Sequence, residues 1–196
     1  MPAPPSSWWY DAQADKSLAY DLDKAKHYLK QSKYPEGASF ELLTPSTPYL
    51  LDGKDCVVFL QSEFAKIGVE VKLRLIENAT LSPAMSRGEY QAAFRHLMSP
   101  GEPTYMSFVN LTPNQYLSKA SGFDDPKLNT LFRTVFAETD QEKLKPLYAE
   151  MQRLIADQSP YVWVGFFNAT NLWRSRVKNF KPSRGMTINV RDAALS

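Results

Sequence analysis

Between Asp52 and Leu75 the apolar residues switch from helical to strand spacing within a few positions. Val57, Leu60, Phe64 and Ile67 form one helical stripe, and Gly68 stands where a left-handed cap belongs. Val69-Glu70-Val71-Lys72-Leu73-Arg74-Leu75 then alternates without a fault, a strand with one apolar and one charged face. The same alternation of elements extends on both sides. Upstream, Asp21 caps a helix carrying Leu22, Ala25 and Leu29, the turn Tyr34-Pro35-Glu36-Gly37 ends it, and Ala38 to Thr44 reads as a strand. Downstream, a short helix from Leu81 to Arg87 stops at Gly88, and Tyr90 to Leu97 reads as the next strand. The order αβαβαβ predicts an α/β fold: a mostly parallel, mixed sheet flanked by helices.

From Met98 to Phe123 prolines and glycines leave room only for a short helix near Tyr105 to Asn110, and a stretch this poor in structure is usually a functional or disordered loop. Asp124, Asp125 and Pro126 announce a helix with Leu128, Leu131, Phe132, Val135 and Phe136 as its buried stripe. Asp140 starts the last helix, with Leu144, Leu147, Tyr148, Met151, Leu154 and Ile155 on its apolar side and Pro146 early enough to be tolerated. Tyr161 to Phe167, the most apolar run, reads as a central strand, and Asn171 to Val177 as one more. Residues 1–19 read as a linker or irregular arm, 20–182 as the α/β lobe, and 183–196 as an irregular tail. Within the arm, Trp8 and Trp9 are either docked on the protein or turned toward a missing neighbour.

Most chemistries are excluded early. A net charge of +2, from 23 basic and 21 acidic residues, is too balanced for nucleic acid, and the basic cluster Arg174, Arg176, Lys178, Lys181 and Arg184 reads as a charged strand edge. One cysteine and two histidines exclude an internal disulfide, a cysteine-based zinc cluster and a multi-histidine metal site. No phosphate-binding glycine loop, nucleophile elbow or metalloprotease motif occurs, so neither cofactor nor enzyme activity is expected. Cys56 reads as a small packed residue rather than as the partner of His96. The paired carboxylates stand at helix ends, where capping accounts for those at N-termini. A small α/β hydrolase or transferase using the 95–105 loop and a stand-alone protein-interaction module are the competing readings. The candidate site is the loop after the Tyr90 strand, where Arg95, His96, Met98, Ser99, Glu102 and Tyr105 gather near a strand's C-terminal end, the edge at which open α/β sheets hold ligands. Arg95 could equally lie on an exposed strand face, and His96 could be a hydrogen-bonded core residue.

Several segments, in this order, resemble one family. Tyr20-Asp21-Leu22-Asp23-Lys24-Ala25-Lys26-His27-Tyr28-Leu29 followed by Tyr34-Pro35-Glu36-Gly37 is similar to "YDPEKAKxLL…GYPxG". Leu60 to Val71 is similar to "xxxxLxxIGIxV", and Arg87-Gly88-Glu89-Tyr90-Gln91-Ala92-Ala93 to "xGxYDxxx". Phe123 to Leu131 resembles "yxNPxxDxLl", Tyr148 to Val162 follows "YxxxQxxxxxxxPxip", and Arg176 to Phe180 resembles "xxVkgf". These are patterns of the family 5 solute-binding proteins, the periplasmic peptide- and nickel-binding components of ABC importers. The resemblance implies one lobe of a two-lobed periplasmic-binding-protein type II-like fold, with an N-terminal lobe of the same protein, a peptide or other small solute and membrane permease subunits as partners, and a periplasmic or extracytoplasmic location for the full-length protein. The family's cleft loop reads "GWxxDxxDPxxF". Here Arg95-His96-Leu97-Met98-Ser99-Pro100-Gly101-Glu102-Pro103-Thr104-Tyr105-Met106 takes its place, with Pro103 retained, His96 for the tryptophan, Ser99 for the ammonium-binding aspartate and Glu102 for the second aspartate. A neutral hydroxyl cannot supply a charge-assisted bond to an ammonium, and Arg95 points instead toward a carboxylate or other anion.

Overall fold

The computed structural model describes residues 3–46, 53–95, 111–112, 115–166, 170–182 and 189–195. They fall into two compact units, one comprising Lys16–His96 and Pro113–Asp124, the other Met1–Asp15, Leu97–Thr112 and Asp125–Ser196.

The first unit is built on a three-stranded sheet in the order β2-β1-β3, with β1 at Ala38–Pro45, β2 at Val69–Ile76 and β3 at Ala92–Ala93. Both pairings are parallel, with Ala38 opposite Val69 and Leu42 opposite Ala92. This is the predicted α/β architecture, because α3 (Gly53–Ala65) connects β1 to β2 and α4 (Asn78–Arg87) connects β2 to β3. One face of the sheet packs on α3: Leu42, Val57 and Val71 form a buried cluster extended by Phe40, Phe64, Leu73, Ala92 and Phe94. Leu43 points to the other face and is fully buried, with α4 packed on β1. Burial on both faces is what a central parallel strand requires. The charged face of β2 stays in water as predicted, and Arg74 Nη1 lies 3.1 Å from Glu41 Oε1 across the strands. Helix α2 (Leu22–Gln31) starts where Asp21 accepts a 2.9 Å hydrogen bond from the Lys24 amide.

Two glycines of the first unit are required by geometry. Gly37 opens β1 at φ +122°, and a Cβ there would stand 2.5 Å from the Gly68 carbonyl oxygen. Gly88 ends α4 at φ +71°, and Tyr90 beyond it donates a 2.7 Å hydrogen bond to the Ala120 carbonyl of α5 (Tyr116–Ser121). The Gly-x-Tyr of the family pattern therefore has a structural reason: a left-handed stop, then a tether.

The second unit is helical in its core. In α6 (Pro126–Ala137) Leu128, Leu131, Phe132 and Val135 are buried, and α7 (Gln141–Gln158), which packs on it, buries Tyr148, Met151, Gln152 and Ile155. The predicted caps are in place. Asp125 accepts from the Leu128 amide at 2.7 Å and Asp140 from the Glu142 amide at 2.9 Å. Phe136 departs from the expected stripe: it is 55% exposed.

Several expectations are corrected. Residues 1–19 are not wholly irregular, because α1 (Ala12–Ser17) forms there and Trp9 is buried. Its carbonyl accepts a 2.7 Å hydrogen bond from Gln152, and its ring tilts against Tyr148, so Trp9 is docked. The Tyr90 strand is only two residues long. Just before it, the Gln91 side chain accepts a 2.6 Å bond from the Glu41 amide and takes the place of a ladder bond. No strand is present among residues 161–166. The strand expected at 171–177 is shorter and later, β4 at Val177–Lys178, and it pairs antiparallel with β5 (Ala194–Leu195) in the tail read as irregular. Helix α5 was not expected at all, and the helix expected near Tyr105 to Asn110 lies outside the described residues.

Candidate functional site

Parallel strands deliver their C-terminal ends to one edge of the sheet. Here β1 ends in Thr44-Pro45, and Ser46 beyond it donates a 2.8 Å backbone bond to Ile76 at the end of β2. Past β3 the Phe94 amide still donates to the Leu43 carbonyl at 2.8 Å, so Arg95 is held one residue beyond the last ladder bond. That is the edge where open α/β sheets bind ligands.

Arg95 is half-buried there. Its Nη1 donates to Ser82 Oγ on α4 at 3.2 Å, and its buried Nε has no hydrogen-bond partner. Among the described residues no carboxylate pairs with it. A guanidinium anchored by one nitrogen and unpaired along another edge is suited to a planar anion. Sequence reasoning reached Arg95 but not Ser82, because the contact joins two elements whose approach depends on how α4 crosses the sheet. His96, Met98, Ser99, Glu102 and Tyr105 lie outside the described residues.

Other chemistry-bearing groups have structural work. Asp11 caps α1 through the Ala14 amide at 3.1 Å and takes a two-pronged bond from Arg153, Nε to Oδ2 at 2.8 Å and Nη2 to Oδ1 at 3.0 Å. The Arg153 hydrogen bonds hold the Asp11 carboxyl below the usual carboxylate range. Lys66 and Tyr20 do the same to Glu63 at the surface. Burial pushes the half-buried Cys56 thiol up, away from the thiolate a nucleophile needs. Among the described residues no three metal-ligating side chains cluster, and no helix is long and apolar enough to cross a membrane.

A short parallel sheet with helices on both faces and an arginine at its C-terminal edge is an α/β unit of the open-sheet kind. The model of the family described as bacterial extracellular solute-binding proteins, family 5 Middle, matches residues 1–117. The chain belongs to this family. The di/tripeptide-binding protein 1 of Pseudomonas aeruginosa (strain UCBPP-PA14) is 27% identical over 193 residues, covering 92% of this chain and 34% of that protein. The periplasmic binding protein DppA from Helicobacter pylori, solved with the peptide STSA, is 30% identical with a TM-score of 0.71, over 82% of this chain and 31% of that one. HbpA2 from Haemophilus parasuis matches all of this chain and 39% of its own, with a TM-score of 0.78 at 21% identity, a likeness of fold. The chain spans about a third of the length of the curated relatives it matches.

Proposed function

We propose that this chain is one lobe of an extracytoplasmic solute-binding protein of an ABC importer. In this reading a second lobe, encoded in the same protein, completes the cleft, and the pair captures a peptide-like or other small solute and presents it to a membrane permease. The observation that carries the reading is the family match over residues 1–117 on a chain whose parallel sheet ends in Arg95. Contacts from both lobes stabilise the closed state, and no bond is made or broken, so the protein is not an enzyme. On this lobe Arg95, His96, Met98, Ser99, Glu102 and Tyr105 receive the solute. Arg95 faces an anionic group, and Ser99 leaves a free ammonium without its usual carboxylate.

Native mass spectrometry of the full-length protein, purified without refolding, tests this. A co-purified solute released intact on denaturation is the expected result. In the same protein Arg95→Gln weakens that solute by about tenfold or more, the worth of a lost charged hydrogen bond. Chemical turnover of the released solute, or undiminished affinity in the variant, contradicts the respective part.

A further inference from the structure

A guanidinium offers a carboxylate two parallel donors, Nε and Nη2, along one edge, while Nη1 points away from that edge. Arg153 and Arg87 show the fork filled. Arg153 gives Nε and Nη2 to the two oxygens of Asp11 at 2.8 and 3.0 Å, and Arg87 gives the same pair to Glu89 at 2.6 and 2.8 Å. Arg95 is wired the other way round. Its hydrogen bond leaves from Nη1, to Ser82 Oγ at 3.2 Å, and its buried Nε meets no acceptor. The side chain is thus held from behind with the fork unfilled. Both ends of this hold are firm. The Phe94 amide beside Arg95 donates to the Leu43 carbonyl of β1 at 2.8 Å. Ser82 stands on α4 among the buried Leu81, Ala84 and Met85, and its carbonyl accepts a 3.0 Å bond from the Ser86 hydroxyl.

A buried N–H without an acceptor costs free energy that an incoming acceptor recovers. The hydroxyl that holds Arg95 is neutral, so the full positive charge stays available to whatever fills the fork. One charge and two parallel donors match a carboxylate, which is planar, carries one negative charge and presents two oxygens at that spacing. We propose that Ser82 is a positioning residue that fixes the Nε–Nη2 edge of Arg95 as the receptor for a carboxylate of the solute. This rests on the solute-binding reading above, and adds the chemical group the solute presents there and the residue that sets the choice. Ser82 acts through the orientation of Arg95. Without its hydroxyl the guanidinium keeps its charge but loses its fixed edge.

Nitrogen NMR of the arginine side chains in the solute-free full-length protein tests it, with acetate, chloride and phosphate added in turn at constant ionic strength. Arg95→Lys identifies the Arg95 Nε–H resonance by its loss. The expected result is a saturable shift of that resonance with acetate, and acetate bound more tightly than chloride or phosphate. Ser82→Ala weakens acetate by about fivefold, the worth of one neutral hydrogen bond, and leaves chloride, which needs no fixed edge, unchanged. Ser82→Val, equally without a hydroxyl, behaves as Ser82→Ala does, and Ser82→Thr, which keeps one, restores acetate. An Arg95 resonance that acetate leaves unmoved overturns the proposal. So do phosphate bound ahead of acetate, equal losses of acetate and chloride in Ser82→Ala, and a Ser82→Thr protein that binds acetate no better than Ser82→Val. A full-length protein that takes acetate at Arg95 yet yields no co-purified solute refutes the solute-binding reading and leaves the carboxylate site standing; a co-purified solute with acetate unbound does the reverse.

Discussion

Gln152 ties a distant part of the chain to α7 with one amide. Its Nε2 donates to the Trp9 carbonyl at 2.7 Å and to the Tyr148 carbonyl at 3.2 Å, and the side chain is buried. Trp8 and Trp9 pack on the Tyr148 ring with centroids 5.5 and 6.0 Å away. Tyr148 and Gln152 are the two marked positions of the "YxxxQ" pattern, which is thus a docking device for the N-terminal arm. Gln152→Leu leaves the Trp9 carbonyl without its donor and is expected to cost about 1–3 kcal/mol, read by urea unfolding, with earlier proteolytic loss of the arm. Asp11 contributes through charge. Its carboxyl is held below its ordinary range by Arg153, so the folded state releases the proton more readily than the unfolded state does. The stabilisation is complete above about pH 4, the unfolded value, and is lost as pH falls through the lower folded value. Asp11→Asn keeps an N-cap but removes the charge. Melting curves of the two proteins should differ at neutral pH and converge on acidification; a difference that does not shrink as pH falls below the ordinary carboxylate range contradicts this account.

Helices announced by caps and stripes were readable from the sequence because their signals are local. Asp21, Asp125 and Asp140 all accept the capping bonds expected of them. Strands β1 and β2 were readable for a related reason: Phe40 to Leu43 and Val69 to Leu75 carry their own pattern, and α3 between them brings the two together in parallel. The errors fall where pairing decides. Tyr161 to Phe166 has the composition of a central strand, but a strand exists only where another backbone meets it. The tail strand β5 has weak local signal and forms because Val177 and Lys178 lie opposite it. The candidate site divides the same way. Arg95 was found from its place after a strand, whereas Ser82, which holds it, depends on the path of α4. At the meeting of β1 and β2, Gly37→Ala must accept an unfavourable φ and push Cβ against the Gly68 carbonyl. A loss of about 1–3 kcal/mol is expected, with faster exchange at the start of both strands. Stability equal to the parent would mean that the close approach is not what it is taken to be.

For the whole molecule, the chain belongs to solute-binding protein family 5 and spans about a third of the length of its curated relatives. A binding protein that works by closure divides its contacts between two lobes, so one lobe holds the solute with part of the interaction free energy. A half-buried arginine at a sheet edge, such as Arg95, recognises an anion weakly while water reaches it and more strongly once a second surface excludes solvent. The most direct measurement is calorimetric titration of one solute, that released from the full-length protein, into the full-length protein and into the 196-residue chain. The account predicts tight binding by the former and none of sub-micromolar strength by the latter. Sub-micromolar binding by the 196-residue chain alone would contradict it.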